Sequence, residues 1–179
     1  MTVLFRLFWH MLTQNRRVLR RRQRQLMAEQ APRCILEIGS GQRRGHRFFQ
    51  SAVDLAPESS SFVMSDRDPQ LGHRVLDITN PPRFPERFDL VLCCNVLEHV
   101  ADIPAAVRGL AQVCDDHGLV FVSTPFAYPY HDEPIDFWRP TSHGLAELFK
   151  AHFGEEELDH SGIRQFPFQV FLTASRPVR

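Results

Sequence analysis

Cys34-Ile-Leu-Glu-Ile-Gly-Ser-Gly41 is the stretch that decides the fold. It reads as a short buried strand running into a glycine turn, with a helix expected after the turn. The glycines let the backbone turn sharply and approach a nucleotide-like ligand with no Cβ in the way. Glu37 stands just ahead of them in an otherwise apolar run. A carboxylate there is costly to bury unless it holds hydrogen-bond donors from the loop or from a ligand.

Outward from this stretch, strand and helix signals alternate. Apolar runs at Cys34–Ile38, Ser61–Ser65, Arg74–Leu76, Phe88–Cys94 and Leu119–Ser123 predict strands, and Gln165–Ala174 predicts a last one. Ile103, Val107, Leu110, Ala111 and Cys114 share one face of a helix over Ile103–Val113, with Asp102 as its N-cap and Pro104 early in it. Gly118 is expected to break the chain before the fifth strand, and Ser142–His152 suits a further helix. Repeated units of this kind predict an α/β fold: a doubly wound, mostly parallel seven-stranded Rossmann-like sheet, its last strand antiparallel, with helices on both faces. The expected organisation is an N-terminal basic arm over residues 1–30 and one domain over 31–179.

In such a sheet the ligand sits at the C-terminal strand ends, where strand order reverses. Those ends carry Gly39-Ser40-Gly41, then Asp66 with Arg67 behind it, then Asp77-Ile78, then Asn95 followed by Val96-Leu-Glu-His-Val100, then Thr124-Pro125-Phe126. A carboxylate at Asp66 can accept both hydroxyls of a ribose. Asp77-Ile78 offers an acid for an amino group beside an apolar wall for a purine. Together with Phe88-Asp-Leu-Val-Leu92 and Gly118-Leu-Val-Phe-Val-Ser-Thr-Pro125, these residues resemble the class I S-adenosylmethionine-dependent methyltransferases, of the small-molecule group often called type 11. The resemblance covers about residues 32–175. It implies that Glu37, Gly39, Ser40 and Gly41 hold the methionine part of the cofactor. Asp66, with Arg67 beside it, would take the ribose, Asp77 and Ile78 the adenine, and Asn95 would border the sulfonium. One position departs from the family turn. Arg43 stands where a third glycine is usual, and the next glycine is Gly45.

A dinucleotide oxidoreductase is the rival, but G-x-G-x-x-G would need glycine where Arg44 stands. Asn80-Pro-Pro-Arg83 resembles the Asn-Pro-Pro-aromatic run of amine-directed methyltransferases, yet it precedes the fourth strand and lacks the aromatic. It reads as a proline-built turn.

The segment Phe126–Thr141 holds both tyrosines of the chain, together with Trp138, His131, Asp132, Glu133, Asp136 and Arg139. An aromatic wall with convergent polar groups is what an acceptor pocket needs, which makes Tyr130, Asp136, Trp138 and Arg139 candidate substrate contacts. In the bland reading Phe137 and Trp138 anchor the loop in the core, while Asp136 and Arg139 pair to hold it. Similar His-x-x-Pro-x-Asp-Phe-Trp-Arg loops occur in bacterial type 11 methyltransferases, some from glycan and cell-envelope pathways. A hydroxyl acceptor needs a base, and His131 and His99 are the candidates. Glu98-His99 invites a metal, as the resemblance to some quinone O-methyltransferases implies. Adjacent residues seldom both reach one ion, so no metal is expected, and His99 is read as capping or packing against the fifth strand. The expected function is methyl transfer from S-adenosylmethionine to a small-molecule hydroxyl acceptor. A non-catalytic cofactor-binding or membrane-associated partner protein is the alternative.

The formal net charge of zero hides an asymmetry. Residues 1–47 carry 11 Arg against Glu29 and Glu37, so 11 − 2 = +9, and the remainder carries −9. Arg16 to Arg24 holds six arginines beside Leu4, Phe5, Phe8, Trp9 and Leu12. Such a helix could lie weakly on an anionic membrane surface, but solvated arginines over a packed apolar side are the commoner outcome. The apolar run is too short to span a bilayer and has no signal-peptide pattern, which points to a cytoplasmic protein, peripheral at the inner membrane face at most. No nucleic-acid motif accompanies the arginines. Cys34, Cys93, Cys94 and Cys114 lie in apolar runs without zinc-site spacing and read as buried free thiols.

Overall fold

The computed structural model describes residues 3–41, 51–132 and 134–178, with side chains from Asn15 onward. The helix expected directly after Gly41, together with Arg43 and Gly45, lies outside the described residues. The strands are β1 (Cys34–Ile38), β2 (Ser61–Asp66), β3 (Arg74–Val75), β4 (Phe88–Cys94), β5 (Cys114–Pro125), β6 (Phe153–Ile163) and β7 (Phe166–Pro177). They form one sheet in the order β3-β2-β1-β4-β5-β7-β6. Only β7 runs against the rest, pairing antiparallel with both β5 and β6. Strand order reverses between β1 and β4, and the crevice outside their C-terminal ends is where such sheets bind ligands.

Helices cover both faces. On one, α2 (Ile103–Val113) and α3 (Ser142–Lys150) pack on Leu36, Ile38, Val91, Cys93, Val120 and Val122. On the other, α1 (Val3–Gln30) sends Leu26 and Met27 against Ile35, Leu90, Leu92 and Cys94. The strand alternation that puts Ile35 and Leu36 on opposite faces also separates Cys93 from Cys94. All four cysteines are free thiols, and burial pushes those of Cys94 and Cys114 up to about 12. Asp102 caps α2 as expected, its Oδ1 accepting from the Ala105 N–H at 2.9 Å.

The expected basic arm is α1, and its described half belongs to the fold. Arg20 donates to the Ser51 carbonyl at 3.0 Å and pairs with Asp54, and Arg22 pairs with Asp159. Asn15 is buried and accepts from Ser161 Oγ of β6 at 2.8 Å. Arg17, Arg21 and Arg24 face solvent. Among the described residues no helix is long and apolar enough to cross a membrane.

Two features differ from the sequence expectation. β5 starts at Cys114, directly after α2, so Gly118 lies inside the strand instead of breaking the chain before it. A Cβ there would come within 2.8 Å of both Cys114 Sγ and the Phe88 carbonyl oxygen, so the glycine permits close approach of β4 and β5. β6 is the seventh strand of the expected sheet, and no sequence pattern placed it. Its acidic run Glu155–Glu157 lies on the outermost strand, where charge discourages edge pairing and hides the β pattern.

Candidate active site

The turn after β1 is tied to its neighbours at Ser40 and Gly41. Ser40 N–H donates to the Ser65 carbonyl at 2.9 Å, and Gly41 N–H donates to Asp66 Oδ2 at 3.0 Å. His73 Nε2 lies 2.7 Å from the Gly41 carbonyl oxygen and donates to it. Gly39 and Gly41 have φ of 69° and 58°, which favours glycine at both. Space demands glycine at Gly39 as well, since a Cβ would sit 2.5 Å from Val96 Cγ2 beyond β4.

Glu37 is buried on the α1 face. Its carboxylate accepts from Ser40 Oγ at 2.9 Å, from Ser51 Oγ at 2.5 Å and from the Ala52 N–H at 2.8 Å. Of the two partners open to it from sequence, the loop is the one observed. Burial raises its carboxyl above the usual range and those three donors oppose the rise. Glu37 therefore fixes the two ends of the segment that follows β1.

Further along the rim, Asp66 Oδ1 accepts from the Asp68 N–H at 3.0 Å, so both its oxygens face backbone donors. Asp77 Oδ1 accepts from the Thr79 hydroxyl at 2.6 Å and the Thr79 N–H at 3.0 Å, which hold its carboxyl below the usual range. Its Oδ2 lies 3.7 Å from Arg67 Nε, an exposed side chain. Ile78 is buried, and its carbonyl oxygen would meet a Cβ at Gly109 of α2 at 1.8 Å. Asn95 directly follows β4 with φ of 55°, a left-handed conformation that Asn tolerates better than most residues. It is held there by its N–H to the Ser123 carbonyl at 2.8 Å and by Gln169 Nε2 donating to its Oδ1 at 2.6 Å.

The third part of the site is the segment after β5, which folds back over the 3-10 turn Leu97–His99. Phe137 and Trp138 N–H both point at the Glu98 carbonyl, at 2.8 and 3.3 Å, and Trp138 Nε1 donates to the Val100 carbonyl at 3.0 Å. His99 Nδ1 lies 2.8 Å from the Ile135 carbonyl oxygen. His99 thus ties down this segment. Asp136 and Arg139 form a two-pronged pair that also receives the His131 N–H at 3.0 Å, while Arg139 reaches the Pro129 carbonyl at 3.1 Å. Arg139 and burial act oppositely on the Asp136 carboxyl, and Arg139 wins, holding it down to about 2. Asp136 and Arg139 therefore pair to hold the loop. Phe137 and Trp138 do not anchor it in the core, since both are more than 40 % exposed (43 and 46 %), as is Tyr130.

This segment carries His131 to His99, ring centroids 4.8 Å apart and edge to face, with the Tyr128 ring 5.1 Å from that of His131. Glu98 lies fully buried beneath them, and burial pushes its carboxyl up to about 8. Glu98, His99 and His131 each offer a ligand atom within 4.8 Å of the others. From sequence Glu98 and His99 were weighed as neighbours alone, while His131 arrives from a distant loop.

Sequence reasoning passed over His73, Gln169, Ser51 and the burial of Glu98. His73 and Gln169 stood as single polar residues beside strands, with no spacing to mark them. Glu98 was visible only as half of a Glu-His pair.

The crevice at the strand-order reversal, bounded by a glycine turn and by carboxylates on successive strand ends, defines a class I methyltransferase architecture. A family model described as a methyltransferase domain matches residues 8–164, and the chain belongs to that family of S-adenosylmethionine-dependent enzymes. Solved structures share the fold. The N-terminal domain of EvdMO1, studied with S-adenosylhomocysteine and D-fucose, is 18% identical, with TM-score 0.64 over 88% of this chain and 82% of that one. The N-methyltransferase NodS from Bradyrhizobium japonicum WM9, in complex with S-adenosylhomocysteine, is 16% identical, with TM-score 0.65 over 93% and 88%. The Burkholderia thailandensis 1,6-didemethyltoxoflavin-N1-methyltransferase is 17% identical, with TM-score 0.65 over 97% and 87%. No curated protein matches in sequence.

Proposed function

We propose that this protein methylates a hydroxyl of a small-molecule acceptor, using S-adenosylmethionine held along the rim from Gly39 to Asn95. The cofactor supplies an electrophilic methyl on a sulfonium. The residues present fit it: a glycine turn that no Cβ could enter at Gly39 suits close backbone approach, and Asp66 offers a carboxylate at the β2 tip for a ribose diol. Asp66 would exchange its Gly41 contact for the ribose. Arg67 would lie beside the ribose, Asp77 and Ile78 would border the adenine, and Asn95 the sulfonium. Glu37 would act on the methionine part through Ser40.

The acceptor side is the His99–His131 pair with Tyr128 and the exposed Tyr130 and Trp138 around it. The acceptor oxygen gains the methyl, and its proton passes to an imidazole as the neutral demethylated cofactor leaves. Holding the two reactants in line at near-attack distance provides most of the acceleration, and a positioned imidazole adds about 10²–10⁴-fold. The observation that carries this reading is the pairing of two histidines, 4.8 Å apart, beside an exposed aromatic surface. EvdMO1 was studied with a sugar, which supports a glycan or cell-envelope acceptor; NodS and the toxoflavin enzyme are N-methyltransferases by name. The exposed Arg17, Arg21 and Arg24 support a weak contact with an anionic membrane surface. The test is incubation with methyl-labelled S-adenosylmethionine and panels of sugars, phenols and lipid-linked glycans. Label in a methyl ether supports the reading, and label on nitrogen or carbon alone contradicts it.

A further inference from the structure

Both oxygens of Glu98 are buried without a hydrogen-bond partner among the described residues. The Glu98 backbone is by contrast well used, its carbonyl taking two N–H groups from the loop that delivers His131. A buried polar group without partners calls for an explanation, and an ion not present in the structure is one of few available. Glu98 Oε1 lies 3.8 Å from His99 Nε2, and one ligand atom from each of Glu98, His99 and His131 lies within 4.8 Å of the others.

The surroundings of the two rings are those of metal-binding imidazoles. His99 Nδ1 faces the Ile135 carbonyl at 2.8 Å, so it must carry the proton, which leaves the lone pair on the Nε2 that faces Glu98. His131 Nδ1 lies 3.2 Å from the Asp136 carboxylate, which Arg139 holds in place. A carbonyl behind a ligating histidine is the usual device for fixing the ring, as at His99; His131 Nδ1 has the Asp136 carboxylate near it but no hydrogen bond among the described residues.

We propose that Glu98, His99 and His131 form a three-ligand site for a divalent cation of the zinc type. Two imidazoles and one carboxylate, with no thiolate, suit zinc, cobalt or iron better than magnesium or calcium, which take oxygen. Bonds of about 2.1 Å at tetrahedral angles put ligand atoms about 3.4 Å apart. The widest gap of 4.8 Å must therefore close by about 1.4 Å, within reach of small side-chain rotations on an exposed loop. The remaining positions of the ion would be open. Resting on the methyltransferase reading above, an acceptor oxygen bound there would lose its proton to solvent more readily, and the imidazoles would serve as ligands in place of the base role.

The test uses the untagged full-length protein, stripped with a chelator and titrated with Co²⁺, reading visible d–d absorption, then displaced with Zn²⁺. The proposal expects one Co²⁺ per chain, with affinity lowered at least tenfold in Glu98→Gln and His131→Ala. Asp136→Asn should weaken binding by roughly 10–100-fold by removing the negative charge beside the His131 ring. Binding of S-adenosylhomocysteine and the circular dichroism spectrum report that each variant is folded. No Co²⁺ spectrum from folded wild type, or equal uptake by Glu98→Gln, overturns the metal site. Loss of S-adenosylhomocysteine binding alone would instead count against the methyltransferase reading. Full activity in the stripped enzyme would leave the imidazoles as bases and overturn the role given to the ion.

Discussion

Gly39→Ala is the substitution that tests the glycine turn most sharply. Two penalties act at once. An L residue at φ of 69° carries roughly 1–2 kcal/mol of strain. The added Cβ would stand 2.5 Å from Val96 Cγ2, and forcing a methyl into packed space costs about 1–3 kcal/mol. The sum is roughly 2–5 kcal/mol. For a chain of this size each kcal/mol moves Tm by about 2–4 °C, so a fall of roughly 4–20 °C is expected. Gly72→Ala separates the two terms, because its φ is 72° but nothing lies within 4 Å of the new Cβ. It should lose only the strain, about 2–8 °C. Pairing Gly39→Ala with Val96→Ala should recover part of the packing term, read as a coupling in a double-mutant cycle. The assay is thermal unfolding with and without S-adenosylhomocysteine, and the first variant should also bind that ligand more weakly. If Gly39→Ala melts no lower than Gly72→Ala, the close approach of the turn to Val96 is refuted.

Gly109→Ala would bring a Cβ within 1.8 Å of the Ile78 carbonyl, so it should destabilise by about 3 kcal/mol or more and weaken cofactor binding through the displaced Ile78, measured by unfolding and titration. Asp136→Asn removes a carboxylate held at about 2. A folded-state value below the unfolded one near 3.9 gives stability that is present above the unfolded value and lost as pH falls towards 2. The variant should therefore unfold about 2 kcal/mol more easily at pH 7, with the gap closing in acid; a constant gap in denaturant titrations across pH would contradict this. Reversing Arg17, Arg21 and Arg24 to Glu should abolish flotation with anionic vesicles, and equal partitioning of variant and wild type would remove the membrane contact.

The sheet was legible because its buried parallel strands are continuous apolar runs that end at recognisable residues. β1 and β4 match their expected bounds, and α2 with its Asp102 cap followed from one apolar face. β6 was illegible because an edge strand needs no apolar pattern and its glutamates hide it. In the site, the order of residues along the rim could be read, but their partners could not. Glu37 showed as a carboxylate needing donors, yet nothing in the sequence said that Ser51 and Ala52 would supply them. Asp136 and Arg139 resolved into a loop clasp only when their geometry was seen. His99 and His131 stand 32 positions apart, and only the fold of the intervening chain puts them over Glu98.

The most direct measurement is calorimetric titration of the folded chain with S-adenosylhomocysteine, beside Asp66→Asn. Saturable one-to-one binding is expected, weakened in the variant by roughly ten- to a hundredfold, since hydrogen bonds to a charged group contribute about 1.5–3 kcal/mol. Absence of heat from the folded wild type, or identical isotherms for the two proteins, would contradict a cofactor seated on the strand ends with its ribose at Asp66.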